Sequence, residues 1–153
     1  GYYEKAIELK ADSHYIYRLA DVFVKLRLYE RAAKVMNDIK IKDKYFLKKQ
    51  AELHVKNNNI PAAIKCIEKA LLSNRNNVEL WTILASYHRQ DYDLNKAYSA
   101  ITTALSADPD DTRASLEYAR IRKAQGRIKD YQVNLNNVLN GLKNKYRENV
   151  NFE

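Results

Sequence analysis

Alanines recur along this chain at a fixed interval of 34 residues. Two series in step with one another keep the interval: Ala51, Ala85 and Ala119, and then Ala63 with Ala97 and Ala70 with Ala104. Each alanine lies in an amphipathic run of helical periodicity. A fixed period in this range is typical of stacked helix pairs, in which each repeat covers the apolar face of its neighbour. The interval therefore predicts an all-α solenoid.

Small residues at these places allow two helices to approach closely, while larger apolar side chains fill the space around the contact. The clearest repeat is 78–111, which contains Trp81, Leu84, Ala85, Ala97, Ala104 and Pro109. In this pattern the chain resembles the tetratricopeptide-repeat family, in which a Trp, a Leu-Gly or Leu-Ala pair, two later Ala and a Pro mark each helix–turn–helix. The resemblance implies a right-handed superhelical solenoid of antiparallel helix pairs. It also implies that the first helix of each pair lines a concave groove.

The repeat register predicts how one solenoid domain, 1–153, is divided. The segments are 1–11 (second helix of a truncated unit), 12–43 (irregular short unit), 44–77, 78–111 (best-matched unit), 112–146 (last unit with a long final helix) and 147–153 (tail). Ala20 precedes Ala51 by 31 residues rather than 34, so about one helical turn is missing before Ala51. The half unit at the start, which has no Met, suggests a fragment of a longer repeat array.

The final helix is expected to carry one apolar stripe at helical spacing. Its members are Ile128, Tyr131, Leu135, Val138, Leu139, Leu142 and Tyr146. The opposite face is polar and rich in Asn, which suits the terminal cap of a solenoid. Packing of this helix against further sequence is the alternative.

The sequence offers no support for catalysis, so we expect a chain that is not an enzyme and that uses no cofactor or metal. His14, His54 and His88 occur once per repeat and suit packing or surface positions better than metal ligation. Cys66 lies on an apolar helix face, which favours an inert thiol over a nucleophile. Because it is the single cysteine of the sequence, no internal disulfide is possible, which leans weakly toward a reducing, intracellular compartment. No apolar run approaches the roughly 20 residues that cross a bilayer.

Charge gives the first indication of a function. The formal net charge is +8 and the sequence pI is about 9.4. Eight basic side chains of the first helices, Lys25 among them, are expected to face the groove, against Asp21, Glu52, Glu79 and Asp93. The candidate partner-binding residues are Lys48, Lys56, Arg89, Arg113, Arg120, Lys123 and Arg127.

These residues favour a protein-interaction scaffold that holds a peptide or partner protein in its groove, and their positive charge suits an acidic partner. An ordinary solvated face of a lysine-rich protein explains the same charges. A module that binds the backbone of RNA or DNA is an alternative, although basic residues also occur on the outer helices. A structural spacer or dimerisation segment of a larger subunit is another. The clamp with which some members of the family hold chaperone C-termini is not expected, because Asn is replaced by Glu52, Thr82 and Ser86 at the places that resemble it.

Overall fold

The computed structural model describes residues 1–126 and 128–150, which form α-helices without any strand. The helices are α1 (Tyr2–Lys25), α2 (Tyr29–Met36), α3 (Lys44–Lys56), α4 (Ile60–Leu72), α5 (Val78–Gln90), α6 (Leu94–Ala107), α7 (Thr112–Ala124) and α8 (Ile128–Val150). Successive helices pair as α1–α2, α3–α4, α5–α6 and α7–α8. We call α1, α3, α5 and α7 the first helices and the others the second helices. The chain divides into two compact units, Gly1–Ser73 and Asn74–Glu153, each of which contains two pairs.

Side-chain caps begin five of these helices and follow the repeat interval. Asp43, Asn77 and Asp111 cap α3, α5 and α7, and Asn59 and Asp93 cap α4 and α6. Each side chain accepts a hydrogen bond from a backbone N–H in the first turn, as Asp111 does from Ala114 at 2.7 Å. Such caps satisfy donors that a helix start would otherwise leave unpaired. Of the two aspartates that precede α7, Asp111 is the cap.

The turns inside the helix pairs share a left-handed residue, found at Arg27, Asn58, Tyr92 and Gly126 with φ between 56° and 78°. In three of these turns the next amide donates to the carbonyl five residues earlier, as Asp93 does to His88 at 2.9 Å. This is the geometry by which a helix ends in a Schellman motif. The backbone thus reverses in the same way in each pair, whatever side chain stands there.

The recurring alanines form the centre of the core, as the sequence predicts. Ala51, Ala85 and Ala119 are all fully buried, as are Ala63 and Ala97. Larger side chains such as Phe46, Ile67, Leu80, Ile101 and Ile121 are buried around them. The small residues let the helices approach, and the large ones fill the remaining volume.

The Gly1–Ser73 unit differs from the expected division at its start. Helix α1 runs without a break from Tyr2 to Lys25, although the sequence suggested a boundary near residue 11. No Gly or Pro lies inside α1, so nothing in the sequence ends the helix there. The missing helical turn before Ala51 lies in α2, which has 8 residues where α4 has 13. Ile39, in the loop after α2, is buried and contributes to the core in place of that turn.

The Asn74–Glu153 unit ends in α8, which extends to Val150 and so past the expected start of the tail at 147. The apolar stripe of α8 is only partly covered: Leu135 and Val138 are half-buried, whereas Leu139, Leu142 and Tyr146 are exposed. The side chains of Ile128 and Tyr131 lie outside the described residues. Among the described residues, no helix combines the length and apolar character needed to cross a bilayer.

Candidate functional site

The first helix α7 presents a cluster of basic side chains. Arg113, Arg120 and Lys123 are exposed, and their spacing puts them on one side of the helix. We call these three residues the α7 basic face. The carboxylate of α7, Glu117, is buried, so every exposed charged side chain of this helix is basic.

Glu117 binds two arginines from two helices. Arg89 of α5 donates from Nε to Glu117 Oε1 at 2.6 Å and from a terminal nitrogen to Oε2 at 3.4 Å. Arg120 donates to the same Oε2 at 3.3 Å. The side chain of Glu117 is 4% exposed, that of Arg89 27% and that of Arg120 53%. A carboxylate removed from water in this way needs charged partners, and the fork of an arginine suits it.

The bonds to Glu117 reduce the positive charge that the sequence analysis predicted for the groove side of the first helices. Arg89 is held by Glu117 and is only partly accessible, so it belongs first to the contact between α5 and α7. Arg120 shares the same carboxylate but keeps half of its side chain in solvent. Counting Glu117 gives five acidic residues against the eight basic ones, so a smaller positive excess remains.

The candidate lysines of the other unit lie on α3. Lys48 is half-buried and Lys56 is exposed. Lys56 lines a crevice of about 60 Å³ between α1 and α3, together with Tyr17, Lys49 and Glu52. The crevice contains both signs of charge.

Lys49, which the sequence reasoning did not select, is the central cation of this crevice. Its Nζ lies 3.6 Å from Glu52 and 3.8 Å from Asp21, and 5.9 Å from the centre of the Tyr45 ring. Burial by itself lowers the pKa of Lys49, but Glu52 and Asp21 outweigh that effect and the pKa is raised. The charge of Lys49 is therefore largely balanced by Glu52 and Asp21, which belong to the same unit.

Tyr17, which lines the same crevice, contacts a second tyrosine. The Tyr17 and Tyr45 rings meet edge to face with centroids 4.8 Å apart. Burial, followed by the neighbouring Asp43 and Tyr45, raises the pKa of Tyr17 to about 12. Tyr17 thus stays protonated at neutral pH and does not add a negative charge.

Arg122 is held among aromatic side chains. Its guanidinium lies 4.6 Å from the centre of the Tyr98 ring and 5.4 Å from that of Tyr118. It also donates to the Tyr118 hydroxyl at 3.1 Å. This contact fixes α7 against α6 through stacking and hydrogen bonding.

The remaining sequence candidates give no chemical site within the part of the chain that the structure describes. Cys66 is half-buried and donates to Gln50 at 3.5 Å, and burial raises the pKa of its thiol. A raised pKa keeps the thiol protonated and unreactive. His88 is buried, and the described residues contain no cluster that could hold a metal ion.

The structure therefore brings together Arg89, Arg113, Arg120 and Lys123 in one unit and Lys48 and Lys56 in the other, while Arg127 lies outside the described residues. Sequence reasoning missed Glu117. Glu117 follows Ile83 by 34 residues and Lys49 precedes Ile83 by the same interval, so the residues at this register position are not uniformly apolar and the repeat pattern did not indicate that Glu117 is buried. A buried carboxylate requires a charged partner.

Comparisons agree with this architecture. The tetratricopeptide-repeat family model matches residues 48–97. Among curated proteins, no sequence gives a significant match.

Several solved structures share the fold at low sequence identity. MamA (41-end) from Desulfovibrio magneticus RS-1 is 15% identical, with 87% of this chain and 77% of that chain covered and a TM-score of 0.72. YrrB, a TPR protein with an unusual peptide-binding site, is 17% identical, with 91% and 74% covered and a TM-score of 0.67. The second TPR of Spaghetti (RPAP3), bound to the HSP90 peptide SRMEEVD, is 17% identical, with 64% and 91% covered and a TM-score of 0.58.

The family model thus matches less than half of the chain, residues 48–97, and the solved structures show that the chain shares the fold of tetratricopeptide-repeat proteins.

Proposed function

We propose that this chain is a non-catalytic interaction module that binds an acidic segment of a partner protein on the α7 basic face. The observation that carries the proposal is the one-sided charge of α7, whose exposed charged residues are all basic and whose carboxylate is buried. Like charges on one helix side repel each other slightly. A partner carboxylate would remove that repulsion and gain charge-assisted hydrogen bonds.

Two of the structural relatives support peptide binding as the kind of activity. The RPAP3 repeat is solved with SRMEEVD, a peptide that contains two glutamates and an aspartate. YrrB is described as having an unusual peptide-binding site. Because the Asn residues of the chaperone-type clamp are replaced by Glu52, Thr82 and Ser86 here, the α7 basic face would recognise an acidic peptide through Arg and Lys alone.

The other candidate residues have different places in this proposal. Lys48 and Lys56 are secondary contacts in their own unit. Arg89 is excluded from the test set, because its removal would leave the buried Glu117 with one partner fewer. Arg127 completes the seven-residue spacing of Arg113 and Arg120 in the sequence alone.

A test begins with peptides selected from a random phage-displayed library on the immobilised chain. Calorimetry would then compare the parent with the double variant Arg113→Glu, Lys123→Glu, which keeps both of the arginines that bond to Glu117, Arg89 and Arg120. The matched control reverses two exposed lysines on α4, Lys65→Glu and Lys69→Glu. We expect acidic peptides, at least about a tenfold loss of affinity in the α7 variant and little change in the control.

Two outcomes would contradict the proposal. Selection without enrichment of Asp and Glu, or equal losses in both variants, would make the α7 basic face an ordinary solvated surface. Tight binding of a labelled single-stranded RNA, with a steep dependence on salt, would instead favour the nucleic-acid alternative. Size-exclusion mass of the parent tests the dimerisation alternative in the same preparation.

A further inference from the structure

A cleft of about 550 Å³ lies within the Asn74–Glu153 unit, between α8 and the start of α7. One wall contains Pro109, Ser115 and Tyr118, and the other contains Asn137 and Gly141 of α8. The volume falls in the range of sites that bind small ligands or anchoring side chains. Ser115 and Tyr118 lie on the opposite side of α7 from Arg113 and Arg120, so the cleft is separate from the α7 basic face.

The repeat register explains why the cleft exists. Ser115 follows Trp81 by 34 residues, and Leu47 precedes Trp81 by the same interval. The two earlier repeats thus have a large apolar side chain where this repeat has a hydroxymethyl group. Leu47 is 7% exposed, so the position is a core position in its own repeat.

The surroundings of Trp81 identify the place more closely. Its indole Nε1 donates to the carbonyl of Arg75 at 2.7 Å. The residue equivalent to Arg75 in the next repeat is Pro109, which lines the cleft. The cleft therefore corresponds to the place that the Trp81 indole occupies one repeat earlier.

The second wall adds to the space. A Cβ atom built on Gly141 would meet nothing within 4 Å, so this part of α8 leaves the cleft open. The residue equivalent to Gly141 one repeat earlier is Ala107. Ser115 and Gly141 are thus both smaller than the equivalent residues one repeat earlier, and both line the cleft from facing helices.

The residues that line the cleft suit the binding of an aromatic side chain. Tyr118 presents an aromatic wall whose hydroxyl is held by Arg122 and whose ring lies 5.9 Å from that of Tyr98. Thr112 and Asn137 also line the cleft and carry groups that both donate and accept hydrogen bonds, as the backbone of a peptide requires. The cleft is of mixed character: Leu105, Pro109, Tyr118 and Val138 give it apolar surface, and Asp110, Asn134 and Lys145 add further polar and charged groups. Aromatic side chains are common anchors in pockets that combine apolar surface with hydrogen-bonding groups.

We propose that this cleft binds a tryptophan side chain from an extended segment of a partner protein, which takes the place of the large residue missing at position 115. The inserted indole would contact Tyr118, Pro109 and Val138, and the peptide groups on either side of it would bond to Thr112 and Asn137. The repeat would then be completed by its partner. This binding mode is independent of the acidic peptide proposed for the α7 basic face.

The test uses N-acetyl-tryptophan amide as the probe, followed by amide NMR of the whole chain. We expect saturable shifts at Ser115 and Gly141 with a dissociation constant of about 1 mM, which suits a single anchoring group. Ser115→Trp should weaken probe binding at least tenfold and raise the thermal midpoint by a few degrees, because it restores the residue of the earlier repeat. Gly141→Leu should block the probe from the other wall without changing α7.

Controls separate the cleft from general effects of an added indole. Ser99→Trp places the same side chain at an exposed position of α6 and should leave probe binding and the thermal midpoint unchanged. Binding of the capped glycine analogue as tightly as the tryptophan probe would overturn the proposal. So would full probe binding by Ser115→Trp, a lowered midpoint in that variant, or tighter binding of free tryptophan, which would indicate a metabolite site.

Discussion

Glu117 determines which of the neighbouring arginines are free to meet a partner. Its buried carboxylate would be costly to leave without positive charge, and Arg89 supplies the shortest bond, at 2.6 Å, from the less exposed of the two arginine side chains. Arg120 contributes one longer bond from a side chain that is half in solvent. Arg113 takes no part in this network. Arg89 and Arg120, which the sequence alone does not distinguish, thus differ in structural role.

We predict that Arg89→Ala lowers the free energy of unfolding by about 2–3 kcal/mol, since it leaves a buried carboxylate with one weaker partner. Arg120→Ala should cost less than about 1 kcal/mol, because solvent already screens that ion pair. Urea denaturation of both variants, with Arg113→Ala as the exposed control, measures the difference. Equal losses in Arg89→Ala and Arg120→Ala would show that Glu117 does not depend chiefly on Arg89.

Helix boundaries show the repeat interval more clearly than the helix interiors do. Asp43, Asn77 and Asp111 cap first helices at 34-residue intervals, and Asn59 and Asp93 do the same for second helices. Either Asp or Asn satisfies the same backbone donors, so the caps are interchangeable in geometry but differ in charge. At Asp93 the charge also links stability to acid, because the pKa of this carboxyl is lowered in the folded chain.

Asp93 provides a test of that dependence. The hydrogen bond from the backbone of Lys96, followed by the charge of Lys96, lowers the pKa of Asp93 below the ordinary 3.8. A lowered pKa means that the stabilisation is complete above pH 3.8 and is lost as the pH falls through the folded-state value. We predict that Asp93→Ala is destabilised at pH 7 and that its difference from the parent shrinks in acid.

Asp93→Asn is the matched control, because it keeps the capping oxygen and removes the charge. Thermal midpoints at pH 7 and pH 3 should show a smaller change with pH for Asp93→Asn than for the parent. An identical change with pH in both proteins would remove Asp93 from the acid response.

At the scale of the whole molecule, stability is expected to be distributed over contacts between neighbouring helices, as in other stacked repeats. Each compact unit has its own buried alanines, Ala51 and Ala63 in one and Ala85 and Ala97 in the other. A destabilising substitution at one of these alanines should therefore lower the stability of its own unit more than that of the other unit.

We predict that Ala97→Trp overpacks the core of its unit and costs more than about 1–3 kcal/mol. Hydrogen exchange should show a greater loss of protection in 74–150 than in 1–73. Tyr92→Trp, at a side chain that is 91% exposed, is the control and should leave exchange unchanged. Normal unfolding of Ala97→Trp would mean that the buried face of α6 is wrongly assigned, and equal losses in both units would mean that they unfold together.

The sequence predicted the features that depend on periodicity. The alanine series, the helix pairs and the missing turn before Ala51 all follow from spacing, and spacing is visible without coordinates. The uninterrupted α1 was not anticipated, because the register suggested a boundary where no residue ends a helix. The α5–α7 ion network was not anticipated either, since Arg89 and Glu117 are 28 positions apart in the sequence and come into contact only when two first helices pack together.

The turns within the helix pairs share one backbone conformation, although the residues that adopt it have different side chains. Arg27, Asn58, Tyr92 and Gly126 all adopt the left-handed conformation, and the Tyr92 ring extends into solvent. A fluorophore or spin label attached at 58 or 92 would thus sit at an equivalent site in its own hairpin without entering the core. The fold in this way provides matched attachment points, from which the opening of one hairpin could be followed separately from that of another.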